Sequence, residues 1–162
     1  LLIAIRLWLL WQSYKPLVTI YIILPPFVNS SLLENSYFAV LYPFTSYVKL
    51  QQAYFNESNK YGSWKLIGYT APGTNDVENG KSATNNFEYA GGNAITEANS
   101  TSAVTGVWTA NNIAKLNECA KGTSANWSLA TGAVGTDGQD SYKATVAADC
   151  KSLTPTFDKI GN

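Results

Sequence analysis

Few residues of this chain could carry catalytic chemistry, because its 162 residues include no histidine. Histidine is the commonest general base and the commonest transition-metal ligand, and His-ligated haem and most zinc sites depend on it. Serine and threonine are abundant, but no histidine is present to activate them as nucleophiles, and no serine–lysine dyad stands out. The sequence therefore predicts a protein that is not an enzyme, with no catalytic residue, no metal site and no cofactor.

The aspartates of the C-terminal third fall in turns and at segment ends: Asp137, Asp140, Asp149 and Asp158. Asp137 and Asp140 carry carboxylate oxygens of the kind that Ca²⁺ binds. Their loop, GTDGQD, lacks the ligand spacing of an EF-hand, and an Asp-Gly pair is a common turn former. The pattern therefore favours a turn over a calcium site.

The two cysteines, Cys119 and Cys150, lie in a region rich in Gly, Asn, Ser and Thr, which is typical of an exported domain. We predict a disulfide between them. The alternative is a pair of buried free thiols in a cytosolic protein. The membrane-type segment upstream favours the disulfide.

Three tryptophans allow two interpretations, because Trp64, Trp108 and Trp127 each sit in a strand-like run. Exposed indole rings stack on sugars in carbohydrate-binding modules, whereas buried rings dominate the packing of cores. The strand-like context favours the core interpretation. The predicted core of the globular part comprises Tyr54, Trp64, Trp127 and Tyr142.

The first 28 residues are the most apolar stretch of the chain, with Arg6 and Lys15 as their only charges. Residues 1–24 together reach the length of a membrane-spanning helix, and Pro25-Pro26 would stop or kink it. The chain contains no Met, even at position 1, which predicts a processed N-terminus or a fragment. We predict a hydrophobic stem over residues 1–54, with a filament core formed by Leu1, Ile5, Leu9, Leu17, Ile20, Leu24, Pro25 and Pro26.

The end of this stem has a helical pattern. Residues 29–45 read as helical with a local break at Pro43. In the segment from Ser46 to Lys60, Tyr47, Leu50 and Tyr54 recur at helical spacing opposite polar side chains. This pattern predicts an amphipathic helix that lies against a sheet and ends near Lys60.

For residues 55–162 the sequence pattern predicts a globular, β-rich head with an antiparallel sheet of three to five strands. The clearest signal is a hairpin, because two runs of alternating residues, 127–133 and 142–148, flank an Asp-Gly turn. Further strands are predicted over 63–70, 86–89 and 103–109, a polar loop over 74–81, and a short helix that Asn111-Asn112 caps and Gly122 ends. A C-terminal tail should fold back to cover Phe157 and Ile160.

The net charge of the chain indicates which class of partner it can bind. Eleven basic residues balance eleven acidic residues, so the net charge is zero. A nucleic-acid-binding protein would carry a basic stripe, so the sequence predicts no nucleic-acid partner.

The segments SYVKLQQAY, GSWKLIGYTAPG and CKSLTPTFDKIG resemble type IV pilins and pilin-like proteins, over about residues 46–162. The resemblance implies an α+β fold, in which a long N-terminal hydrophobic helix, kinked or broken at prolines, packs on a small antiparallel sheet with a disulfide-closed C-terminal region. The stem departs from the family, because the assembly motif with its Glu is missing and no acid precedes Glu34. Apolar packing would have to replace the family's salt bridge.

The resemblance implies a structural subunit of an extracellular filament on the cell surface, with a role in adhesion or motility. Its partners would be further copies of itself, and the inner membrane would hold it before assembly. A type II secretion pseudopilin is a variant of this interpretation. The alternative from another class is a membrane-anchored surface adhesin or carbohydrate-binding domain, with surface polysaccharide as its partner.

Overall fold

A computed structural model describes residues 30–96, 101–132 and 139–160 of the chain, with side chains from Tyr37 onward. These residues contain one α-helix, six strands and two short 3₁₀ helices, and from Leu32 on they belong to one compact unit. The elements are α1 (Ser30–Ser58), β1 (Thr74–Asp76), β2 (Lys81–Ala83), β3 (Phe87–Ala90), β4 (Val104–Asn112), β5 (Trp127–Thr131), β6 (Tyr142–Val146) and 3₁₀ helices at Ala148–Leu153 and Phe157–Lys159.

The six strands form one antiparallel meander, in which each strand pairs with the next along the chain. Side chains alternate between the two faces of a strand, so Trp127, Leu129 and Thr131 of β5 are buried while the residues between them are half-buried. In β6, Tyr142 and Ala144 are buried in the same way. One face of the sheet therefore supplies the core and the other faces solvent.

Helix α1 closes the core with one stripe of its surface. Val40, Phe44 and Tyr47 are fully buried, and Gln51 and Phe55 continue the stripe toward the C-terminal end. Their spacing of three or four residues puts them on one face of a helix. A ring contact joins the two layers, since Phe44 lies 5.4 Å from Trp108 of β4, edge to face.

Gln51 is the only amide side chain in this stripe, and it ties the helix to the segment that follows it. Its Nε2 donates to the carbonyl of Gly62 at 2.7 Å, and its Oε1 accepts from the amide of Gly62 at 2.9 Å. Nε2 also donates to the hydroxyl of Tyr47. Since these groups are buried, the bonds offset the cost of removing polar atoms from water.

Pro43 lies inside α1 without ending it. A proline has no N–H, so the carbonyl of Ala39 loses the helical hydrogen bond it would otherwise accept. The hydroxyl of Tyr89, on β3, donates to that carbonyl at 2.6 Å. Burial raises the pKa of Tyr89 to about 12, so the phenol keeps its proton at neutral pH. The sheet thereby replaces the bond that the proline removes.

Because the Tyr89 hydroxyl takes the place of the amide donor that Pro43 lacks, we expect the effects of substituting these two residues to be coupled. Tyr89→Phe should lower the free energy of unfolding by about 1–3 kcal/mol, because it leaves the Ala39 carbonyl without a partner. In a Pro43→Ala background the same change should cost less than about 1 kcal/mol, since the new amide N–H can donate to Ala39. Urea unfolding of the four proteins would measure the coupling, with exposed Tyr42→Phe as the control. Equal costs in both backgrounds would contradict this account.

The predicted fold class is wrong for the described residues. A long, apolar N-terminal helix broken at prolines was expected, but α1 runs unbroken through Pro43 and carries polar residues such as Lys49 and Gln52 on its outer side. The buried stripe of its apolar side chains covers the sheet instead. The sheet is also larger than expected, with six strands. The predicted division of the chain at residue 54 falls within this helix, and residues 1–29 lie outside the described part.

Several elements follow the sequence prediction and others do not. The predicted hairpin is confirmed as β5 and β6, with its turn at 133–138 outside the described residues, and strands at 86–89 and 103–109 are confirmed as β3 and β4. The predicted strand at 63–70 is wrong, because that segment is a series of turns. The polar loop at 74–81 instead forms β1 and the start of β2. The predicted helix at Asn111-Asn112 is also wrong, since both residues end β4.

The predicted disulfide is present and joins Cys119, in the loop after β4, to Cys150, in the first 3₁₀ helix. Two buried asparagines hold the same loop. Asn126 donates to the side-chain oxygen of Asn112 at 2.6 Å, and Asn112 donates to the carbonyl of Cys119 at 3.0 Å. As expected, the C-terminal tail folds back, and Phe157 is fully buried.

Candidate interaction surfaces

Three large aromatic side chains are exposed side by side on the N-terminal half of α1. Tyr37, Phe38 and Tyr42 expose 51%, 65% and 69% of their surface. Tyr37 and Phe38 meet edge to face, with ring centroids 6.0 Å apart. We call these three residues the aromatic patch. Exposed apolar groups of this kind, when contiguous, mark sites where another surface docks.

Helical spacing explains why two residues of the patch, Phe38 and Tyr42, face outward. Val40, Leu41 and Phe44 occupy the side that packs on the sheet, so residues 38 and 42, four apart, share the opposite side. Farther along α1 the outer side carries Lys49 and Gln52, which are exposed polar residues. The patch is therefore confined to the N-terminal half of the helix.

A cleft lies between the turns at 64–70 and the hairpin formed by β1 and β2. It encloses about 230 Å³, and its floor includes the rings of Trp64 and Tyr69. Those rings are 6% and 7% exposed, and their centroids lie 4.9 Å apart. The indole Nε1 of Trp64 donates to the carbonyl of Val107 at 2.9 Å, which fixes the ring. The floor is therefore built before any ligand arrives.

Two glycines bring backbone segments together beneath the cleft. The amide of Gly92 donates to the carbonyl of Gly80 at 3.0 Å. A Cβ added to Gly92 would lie only 2.6 Å from the Cα of Gly80, so no other residue fits without a shift. By contrast, a Cβ added at Gly68, on the wall of the cleft, would meet no atom within 4 Å. That side of the cleft is open.

The charges around the cleft are two lysines and one aspartate, namely Lys65, Lys81 and Asp76. Both carboxylate oxygens of Asp76 accept bonds from Asn79, from its amide N–H at 3.2 Å and from Nδ2 at 2.7 Å. These bonds, with the nearby ammonium of Lys81, lower the pKa of Asp76. Neither lysine forms an ion pair with any carboxylate in the described ranges. Two lysines against one aspartate leave the walls with a net positive charge.

The structure describes some of the site residues predicted from the sequence, and others lie outside the described part. All the predicted filament-core residues, from Leu1 to Pro26, lie outside the described part. Trp64, Trp127 and Tyr142 are buried, and Tyr54 is half-buried against the same core. Of the three tryptophans considered for sugar stacking, Trp108 and Trp127 are fully buried, and Trp64 is 6% exposed and lines the cleft.

The four aspartates considered in the sequence analysis do not form a metal-binding cluster within the described ranges. Asp137 lies outside them, and no group of three or more Asp, Glu or Cys residues within them is close enough to hold a metal ion. Asp158 instead pairs with Lys151 at 2.5 Å, which links the two 3₁₀ helices. Asp140 lies beside the buried hydroxyl of Tyr142, and burial, with this charge, raises the pKa of Tyr142.

Sequence reasoning missed both surfaces described above. The patch has a signal in the sequence, because Phe38 and Tyr42 fall off the helical stripe that contains Val40 and Phe44, whereas Tyr37 is in phase with that stripe and gives no such signal. The cleft has no signal in the periodicity of the sequence, because its residues come from three separate turn and strand segments.

Comparisons with known protein families, with characterised proteins and with solved structures find no match to this chain. Among the described residues, no helix is both long enough and apolar enough to cross a membrane.

Proposed function

We propose that this chain is a structural subunit of an extracellular, pilus-like filament. The observation that carries the proposal is the aromatic patch on α1, which leaves Tyr37, Phe38 and Tyr42 in water in the isolated chain. The disulfide between Cys119 and Cys150 supports an extracellular site, because such bonds persist in oxidising compartments. The segment resemblance to pilins supports the same class.

The area of the patch indicates how much of an interface it can supply. Aromatic side chains bury roughly 150–250 Å² each, so the patch offers roughly 300–450 Å² for contact. A standard interface needs about 800 Å² per partner. The patch therefore accounts for about half, and the apolar residues 1–28, which immediately precede α1 and carry only two charges, would supply the remainder.

The contact should join different surfaces on neighbouring copies. A patch that pairs with the same patch on a second copy closes a two-fold dimer and leaves nothing to extend, so a filament requires the patch to meet a different surface. A contact between different surfaces repeats along an axis and generates an open helical assembly. Filament formation is the expected outcome of such a contact.

We expect Phe38→Ser/Tyr42→Ser to impair filament formation with little effect on folding. Both side chains are mostly exposed, so their removal takes away docking area and not core packing. The full chain, purified in detergent, would be assembled by detergent removal, imaged by negative-stain electron microscopy and quantified by sedimentation. The double variant should leave at least about tenfold more protein in the supernatant than the unmodified chain, a change of about 1.4 kcal/mol per contact.

The matched control changes two exposed polar positions on the same helix, Gln52→Ser and Asn56→Ser. This control should assemble as the unmodified chain does. Two results would refute the proposal: an unmodified chain that stays dispersed under every assembly condition, or a patch variant that forms filaments as readily as the control.

A further inference from the structure

We propose that the cleft between the turns at 64–70 and the β1–β2 hairpin is a binding site for one acidic sugar unit, of the uronate class, in a polysaccharide. The cleft is independent of the aromatic patch, so this proposal goes beyond filament formation. Its volume of about 230 Å³ suits a single ring-sized unit. Its floor, made by Trp64 and Tyr69, is held in place by the bond from Trp64 to Val107.

The walls match the hydroxyl groups of a sugar. Asn75 and Asn93 line the cleft with Thr70. One N–H of each amide is already engaged, since Asn75 donates to Gly73 and Asn93 donates to the carbonyl of Glu78. In the described ranges no group donates to the Oδ1 atom of either asparagine. Each amide thus retains an acceptor and a further donor, the combination that a sugar hydroxyl satisfies.

The charge selects an acidic sugar over a neutral one. Lys65 and Lys81 line the cleft against a single carboxylate, that of Asp76, which is held by two bonds from Asn79, so the lining carries one excess positive charge. A ligand carboxylate placed between the lysines would gain two ion pairs. Exposed ion pairs are individually weak, so the lysines would favour an acidic sugar over a neutral one, while the rigid floor would fix the position of the ring.

A polymer suits the site because a second depression adjoins the cleft and shares Lys65, Val77 and Asn93 with it. A chain of sugars can therefore leave the cleft along this groove. An acidic peptide would meet the same lysines, but its backbone lacks the ring of hydroxyls that the asparagines and Thr70 fit.

The test is a titration of the full, isotope-labelled chain in a non-ionic detergent with trigalacturonate, followed by NMR. We expect saturable shifts of the Gly68 and Gly92 amide signals, weaker binding as salt rises, and no saturation with neutral maltotriose. Lys65→Gln/Lys81→Gln should weaken binding about three- to tenfold. Gly68→Asn should also weaken it, because asparagine tolerates the positive φ of 70° and its side chain occupies the open wall.

The control with the same charge change is Lys115→Gln/Lys143→Gln, at exposed lysines outside the cleft. It should bind trigalacturonate as the unmodified chain does. The proposal is overturned if trigalacturonate causes no saturable shift, if maltotriose binds equally well, or if triglutamate binds more tightly. Filament formation, measured separately, would be untouched by any of these results.

Discussion

Trp127→Ala should lower the free energy of unfolding by about 3–5 kcal/mol, the range for removing a fully buried tryptophan. The indole has no exposed surface, lies on β5 between two neighbouring strands, and contacts Phe87 with ring centroids 5.9 Å apart. Its Nε1 donates to the hydroxyl of Thr154 at 2.7 Å, and Thr154 is itself buried. Alanine would therefore leave both a cavity and an unpaired hydroxyl.

Urea unfolding followed by circular dichroism would measure this cost, since tryptophan fluorescence changes with the mutation itself. Trp127→Phe should recover part of the loss, because it fills most of the cavity without restoring the bond to Thr154. Ser128→Ala, at the next position on the opposite face of β5, should change stability by less than about 0.5 kcal/mol. A cost below about 1 kcal/mol for Trp127→Ala would show that the indole is not part of the core.

The sheet was predictable from the sequence where a strand is buried on one face only. Trp127, Leu129 and Thr131 alternate with more exposed residues, so periodicity alone reveals β5 and its partner β6. Strand β1 gives no such signal, because all three of its residues, Thr74 to Asp76, are exposed at the edge of the sheet. A short edge strand with no apolar face is indistinguishable from a polar loop in the sequence.

Two other predictions, the strand at 63–70 and the helix at Asn111-Asn112, are wrong for the same physical reason. In both segments, contacts with distant parts of the chain replace the local hydrogen bonds that the sequence pattern indicated. The run at 63–70 buries Trp64, Ile67 and Tyr69 through turns, so its apolar residues mimic a strand without forming one. Asn112 resembles a helix cap, and its side chain does bond to main-chain carbonyls, but at Ala114 and Cys119 in a loop. Asparagine satisfies main-chain groups in both settings, and the sequence does not distinguish them.

The helix error has the same origin. Proline was expected to break the helix, since it removes one hydrogen bond and crowds the preceding turn. In the structure Tyr89, which is far from Pro43 in the sequence, supplies the missing donor to Ala39. Such compensation depends on the register between helix and sheet, which no local pattern encodes. The cleft escaped prediction for the same reason, because its lysines and asparagines meet only after folding.

Loss of the disulfide should destabilise the chain by about 3–4 kcal/mol, because the bond between Cys119 and Cys150 closes a loop of 31 residues and restricts the unfolded chain. In the Cys119→Ser/Cys150→Ser variant, residues 113–126 should lose hydrogen-exchange protection before the sheet does. The side chains of Asn111, Asn112 and Asn126, the Lys121–Glu88 ion pair and main-chain bonds at Ile113, Leu116 and Cys119 would still hold that loop, but without a covalent link. Urea unfolding and hydrogen exchange would measure the two effects, with reduction of the unmodified chain giving the same shift. Two titratable thiols in the unreduced, denatured chain would contradict the bond itself, and an unchanged unfolding midpoint would contradict its role.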